Sequence, residues 1–227
     1  AAMREDDRPG HIRRRPAPEL AIDEIGDAAE EQADRRHRGA EIELLFISYN
    51  SALVSLWRGR YAEAQHFADE TFQRVEEIGG DALRPIGLAV RGWVRAHTGA
   101  VSEAEADLAA AAAAKPARSL PWWYRLAIAG LGRLDVSAGR YEQALERLAP
   151  LLDEVDSALG TEICTAEYLP DAIEAMINTG RLDRAAALID RLHRNGQQLD
   201  RSWMLITAGR CKAMWLAATG EVGEALE

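Results

Sequence analysis

Apolar side chains recur along this chain at steps of three and four, in stretches separated by short glycine-bearing breaks. Ile42, Leu45, Phe46, Tyr49, Leu53, Leu56 and Trp57 form one such stripe, with adjacent pairs widening it. Tyr124, Ala127, Ile128, Leu131 and Leu134 form another. Each matches the period of an amphipathic helix and not the alternation of a strand. A second helical stretch follows each break, as in Ala144, Leu145, Leu148, Leu151, Leu152 and Val155. These second stretches stop near Gly79-Gly80, near Pro116, at Gly160 and near Asn195-Gly196, residues that end helices.

The breaks share a pattern: Gly, any residue, an apolar residue, two more residues, then Ala. It begins at Gly59, Gly99, Gly139, Gly180 and Gly220, at separations of 40, 40, 41 and 40 residues. Glycine accepts the left-handed conformation that ends a helix and turns the chain back. The apolar residue two places later (Tyr61, Val101, Tyr141, Leu182, Val222) is expected to plug the corner. The alanine five places later (Ala64, Ala104, Ala144, Ala185, Ala225) lets the second helix approach the first closely. The expected fold is an all-α, right-handed α-solenoid of helical hairpins with a period of about 40 residues.

Hairpins are expected at about 40–79, 80–119, 120–160 and 161–198, with partial ones at 19–39 and 199–227. Residues 1–18, rich in arginine and proline, are expected to be a mobile segment before a single helical-repeat domain at 19–227. Leu20, Ile22, Ile25, Ala28 and Ala29 carry the partial hairpin at the start. The end falls inside a second helix, from which a longer protein is expected. Pro170 lies within the first helix of the fourth hairpin and should kink or delay it.

Composition narrows the function. The net charge of −10 argues against wrapping a nucleic acid. Cys164 and Cys211 make no disulfide framework, are expected to be small core residues, and suit a reducing cytoplasm. No apolar run is long enough to span a membrane, and no secretory signal opens the chain. The five histidines are scattered without metal-ligand spacing, and His66 with Asp69 or Glu70 reads as surface pairing. No nucleophile and base stand out, so a binding scaffold is expected, not an enzyme, with no cofactor in this segment.

The Gly-x-Tyr-x-x-Ala corner resembles the second half of the tetratricopeptide signature. That family also favours a small residue seven places before the glycine, where Ala52, Gly92, Gly132 and Ala213 stand; Ile173 departs. The period exceeds the family's usual length of about 34, and HEAT-like pairing is the structural alternative. The run from Leu131 to Leu145, the run from Tyr168 to Ala175 with Thr179 to Asp183, and Ala208 to Gly220 resemble the helical repeats of large LuxR-type, MalT-like regulators. That resemblance implies a cytoplasmic bacterial sensor of an inducer or protein partner. An ATPase and a DNA-binding helix-turn-helix would then lie in chain not present here, since no phosphate loop occurs in this sequence. A free-standing tetratricopeptide adaptor for partner peptides and a peptide-pheromone receptor are the rival functions. Exposed solenoid ends are open to homodimer formation.

In a tetratricopeptide-like arrangement the first helix of each hairpin faces inward. Counting back from each glycine places Phe46, Tyr49, Leu53, Trp57, Trp93 and His97 on that face. Arg133, Glu174, Asn178, Arg210 and Met214 continue it. Tyr49, Trp57, Trp93, His97, Arg133, Glu174, Asn178 and Arg210 are the candidate groove, an aromatic stretch beside polar groups that suits a peptide or a small polar ligand. The competing reading is that the aromatics pack between hairpins and the charges are solvated. Trp122, Trp123 and Trp203 hold equivalent positions and are expected to stack neighbouring hairpins.

Overall fold

The computed structural model describes residues 39–79, 81–114, 121–153 and 161–225. The expected mobile segment at 1–18 and nearly all of the partial hairpin at 19–39 lie outside them. The chain divides into two compact units, residues 1–43 and 44–227. In the first, residues 39–43 are helical.

The described residues of the second unit form helices joined by turns, with no strand among them. Its elements are α1 (44–57), α2 (Tyr61–Ile78), α3 (Arg84–Thr98), α4 (Val101–Ala113) and α5 (Trp122–Ser137). Then come α6 (Tyr141–Leu152), α7 (Ile163–Ala166), α8 (Leu169–Asn178), α9 (Leu182–Leu199), α10 (Ser202–Thr219) and α11 (Val222–Ala225). From α2 onward each long helix packs on its neighbour in sequence, and α3, α5, α8 and α10 also pack on one another in that order.

Every expected corner glycine has positive φ: 71° at Gly59, 88° at Gly99, 71° at Gly139, 76° at Gly180 and 91° at Gly220. One backbone bond recurs across these turns. The N–H just after the glycine donates to the carbonyl of the residue four before the glycine, as from Arg140 to Asp135 at 2.8 Å and from Arg181 to Met176 at 2.8 Å. This bond captures a carbonyl that the ending helix would leave without a partner. Ala64, Ala104, Ala144 and Ala185 are all fully buried, as their place beside the first helix requires.

The apolar corner residues differ from expectation. Tyr61 and Val101 are 53% exposed and Val222 is 55% exposed, while Tyr141 and Leu182 are half-buried. The backbone bond and the alanine hold the turn, so the residue between them is free to face solvent at three of the five corners.

Small residues before the corners act in pairs with larger ones after them. A methyl group on Gly92 would come within 2.7 Å of the Leu108 side chain, and one on Gly132 within 2.6 Å of Leu148. Leu108 also reaches toward Gly130, where a methyl group would lie 2.7 Å from it. Leu108 and Leu148 are completely buried, each filling the hollow that a missing side chain leaves.

Pro170 falls in the first turn of α8, where its missing N–H costs no helical bond. The fourth hairpin therefore opens with the short α7, a turn, and then α8. Beside that break, Tyr168 is buried and its hydroxyl donates to the Leu151 carbonyl at 2.8 Å, in the last turn of α6. No helix among the described residues is long and apolar enough to cross a membrane.

Candidate functional site

The helices α3, α5, α8 and α10 carry most of the candidate residues, and their mutual packing places four of these in one electrostatic chain. His97, half-buried at the end of α3, feels the charge of Arg133 on α5. Arg133 reaches Asp171 of α8 at 3.4 Å. Asp171 in turn feels Glu174 on its own helix and Arg210 on α10. His97, Arg133, Glu174 and Arg210 are thus linked through Asp171, a residue that the register counted from the corner glycines does not select.

Burial sets the protonation along this chain. Burial lowers the His97 pKa from 6.5 to about 4; Arg133 acts in the same direction, and the hydrogen bond of Nδ1 to the Trp93 carbonyl opposes it. The ring is therefore neutral at pH 7. Asp171, 5% exposed, is pushed up to about 6 by burial, against the pull of Arg133 and Arg210 and with the help of Glu174. Cys211, fully buried beside it on α10, is raised to about 11 by burial. It is a core residue as expected, whereas Cys164 is exposed.

The other candidates behave differently. Trp93 is 2% exposed and packs its ring against His97 at 4.5 Å between centroids, so it is a wall of the core. Its indole Nε1 is buried with no hydrogen-bond partner. Tyr49 stacks on Trp122 at 4.4 Å and 16°, which ties α1 to the start of α5. Trp57 is 39% exposed at the end of α1. Asn178 is exposed and donates to the Glu174 carbonyl within its own helix. Trp122, Trp123 and Trp203 are half-buried against the core, in line with a stacking role.

Asp171 could have been found in the sequence. It lies nine residues before Gly180, in a register that holds Val90, Gly130 and Cys211 in the neighbouring hairpins. A carboxylate in such a register signals a partner on the adjacent helix. Among the described residues no group of three His, Cys, Asp or Glu side chains is arranged to hold a metal ion. What the chain does offer is a half-exposed guanidinium, Arg133, and the exposed Arg210 beside the buried carboxyl of Asp171, a setting for polar recognition.

No family model matches the chain, and neither a curated protein nor a solved structure matches it.

Proposed function

We propose that this chain is a right-handed α-solenoid of tetratricopeptide-like hairpins with a 40-residue period. In this reading it is the sensor and protein-interaction segment of a cytoplasmic LuxR-type, MalT-like regulator. Its inward face would be built by α3, α5, α8 and α10 and would bind an inducer or protein partner.

The observation that carries the binding face is the chain from His97 through Arg133, Asp171 and Glu174 to Arg210 across the four helices α3, α5, α8 and α10. A ligand bridging several of these helices favours one relative arrangement of the hairpins, and it shifts that equilibrium only by its difference in affinity for the two states. The contacts from Arg133 to Asp171, Arg125 to the Thr165 carbonyl and Arg181 to Glu142 join residues 38, 40 and 39 apart. Such separations suit a stack of equivalent hairpins.

The flanking coding sequence tests the regulator: a phosphate loop upstream and a helix-turn-helix downstream support it, and a stop codon directly after Glu227 overturns it. The face is tested by thermal shift of the purified chain against free amino acids and short peptides. A binding probe raises the melting temperature by mass action. Arg133→Gln and Glu174→Gln should weaken that probe at least about tenfold, or about 1.4 kcal/mol. A panel that shifts nothing, or shifts both variants as it shifts the wild type, overturns the assignment.

A further inference from the structure

Among the described residues three aspartates are buried, Asp107, Asp135 and Asp171, and two of them are held tightly. Asp107 takes two bonds from Arg91 at 2.8 Å and one from Arg95 at 2.7 Å, all within the second hairpin. Asp135 takes Arg140 and Arg147, each at 2.7 Å, within the third. These are the lengths of charge-assisted bonds. Asp171 is 5% exposed, and Nη1 of Arg133 stands 3.4 and 3.5 Å from its two oxygens. That loose contact crosses from the third hairpin to the fourth.

The other groups around Asp171 do not make up for it. The helix α8 packs on α5, α6, α9 and α10. Arg133 of α5 and Arg210 of α10 attract the carboxylate, and Glu174 of α8 repels it. The Cys211 thiol of α10, raised to about 11 by burial, is uncharged beside it. No described residue of α6 or α9 adds a charge there. Burial outweighs both arginines and pushes the Asp171 carboxyl up to about 6.

The packing across this contact is also thin. The helix α8 has 10 residues, against 15 in α3 and 16 in α5, and it packs on α5 more sparsely than α3 does. A buried, loosely paired carboxylate gains from hydration once it ionises. Little packing between α5 and α8 is lost in reaching that hydration.

We propose that the contact between the third and fourth hairpins is a proton-gated hinge. With Asp171 neutral the hairpins pack as described; with Asp171 ionised, α8 pivots on α6 away from α5 until water reaches the carboxylate. The proton passes between the carboxyl oxygen and solvent, and the device needs no ligand. In the open form the carboxyl returns toward its ordinary value of 3.8, so it binds the proton less tightly than the packed form, at about 6. Opening is therefore favoured as pH rises. His97, lowered to about 4, stays neutral above pH 5.

Double electron–electron resonance on the full chain tests the hinge, with nitroxides at Ser137→Cys of α5 and Ala218→Cys of α10 on a Cys164→Ser background. All three positions are exposed, and Cys211 is buried away from the label. The ratio of a longer to the shorter distance should rise about tenfold between pH 5 and pH 7.5. Asp171→Asn, which cannot ionise, should hold the shorter distance at both, with helical circular dichroism checking its fold. Arg133→Gln, which removes an attraction that favours the ionised form, should move the response to higher pH. Glu167→Gln should keep the response, since the Glu167 carboxylate answers to Arg125. A labelled chain whose distances ignore pH overturns the proposal. An undiminished response in Asp171→Asn also overturns it, as does an unmoved one in Arg133→Gln or its loss in Glu167→Gln.

Discussion

The Arg147 Nε donates to Asp135 at 2.7 Å, and one hairpin earlier Arg95 meets Asp107 at 2.7 Å in the matching place with the charges exchanged. In both pairs one residue stands four before the corner glycine and the other eight after it. The carboxylate is the buried partner each time, with 2% side-chain exposure for Asp135 and 9% for Asp107. Each receives a second arginine, Arg140 at 2.7 Å and Arg91 at 2.8 Å. In these two hairpins the location holds one charge of each sign, and either helix supplies either one. The first and fourth hairpins have Ser55 with Phe67 and Met176 with Leu188 there, so the ion pair is one of several ways to fill it.

Removing the two sides of the Asp135 cluster should cost different amounts. Arg140 and Arg147 keep 45% and 40% of their side-chain surface exposed, so water replaces much of what Asp135→Ala takes away. That variant should lose about 1–2 kcal/mol. Replacing both arginines by alanine leaves a buried carboxylate without a counter-ion and should cost about 3–5 kcal/mol. Urea denaturation of the two variants checks the order; a larger loss from Asp135→Ala would show that the arginines hold other contacts. The swap Asp135→Arg with Arg147→Asp should be milder than the sum of its single changes by about 1 kcal/mol.

Glycines inside helices give a second contrast. Gly132→Ala puts a methyl group 2.6 Å from buried Leu148, and overpacking there should cost about 1–3 kcal/mol. Gly209, midway along α10, is exposed, and a methyl group added there would meet nothing within 4 Å. Gly209→Ala should therefore gain close to about 1 kcal/mol from helix propensity alone. Opposite shifts in melting temperature are expected, and a destabilised Gly209→Ala would reveal a contact on that face of α10.

These pairs show why some of the molecule was legible in its sequence and some was not. Helices and corners follow from local patterns: the 3.6-residue stripe, glycine at positive φ, alanine at a close approach. The hole at Gly92 or Gly132 was visible in the same register, since backbone proximity demands a small residue. Its filling by Leu108 or Leu148 was not, because it depends on how two helices interlock. The polar chain was half visible: counting from the corners selected His97, Arg133, Glu174 and Arg210 but passed over Asp171. Trp93 was placed on an inward face and is in fact buried. Three corner residues were expected to be plugs and are exposed. In these cases the register gives a direction along one helix, while burial depends on the size of the neighbours on the next.

The Tyr168 hydroxyl tests how the break before α8 is anchored. Burial pushes its pKa up to about 12, so it stays protonated and donates to the Leu151 carbonyl throughout the ordinary pH range. Tyr168→Phe removes that 2.8 Å bond and should cost about 0.5–1.5 kcal/mol. Hydrogen exchange should speed up at the end of α6 and in α8 more than in α3. A uniform acceleration would mean that the bond does not act locally.

Glu167 provides the pH dependence. It lies in the turn between α7 and α8, and its Oε2 is buried with no hydrogen-bond partner. Burial raises its pKa from 4.5 to about 8, against the opposing charge of Arg125. The folded protein therefore holds a proton that the unfolded chain releases near pH 4.5, and stability falls as pH rises toward 8. His97, lowered to about 4, acts in the opposite sense below pH 6.5, and Asp171, raised to about 6, acts in the same sense as Glu167 between about pH 4 and 6. Between pH 6.5 and 8 Glu167 is the one of the three whose folded and unfolded forms still differ in bound protons, with an effect on the order of 1–2 kcal/mol. Glu167→Gln, which keeps the shape and cannot ionise, should flatten the wild-type decline over that window. An unchanged slope in the variant would place the titrating group elsewhere.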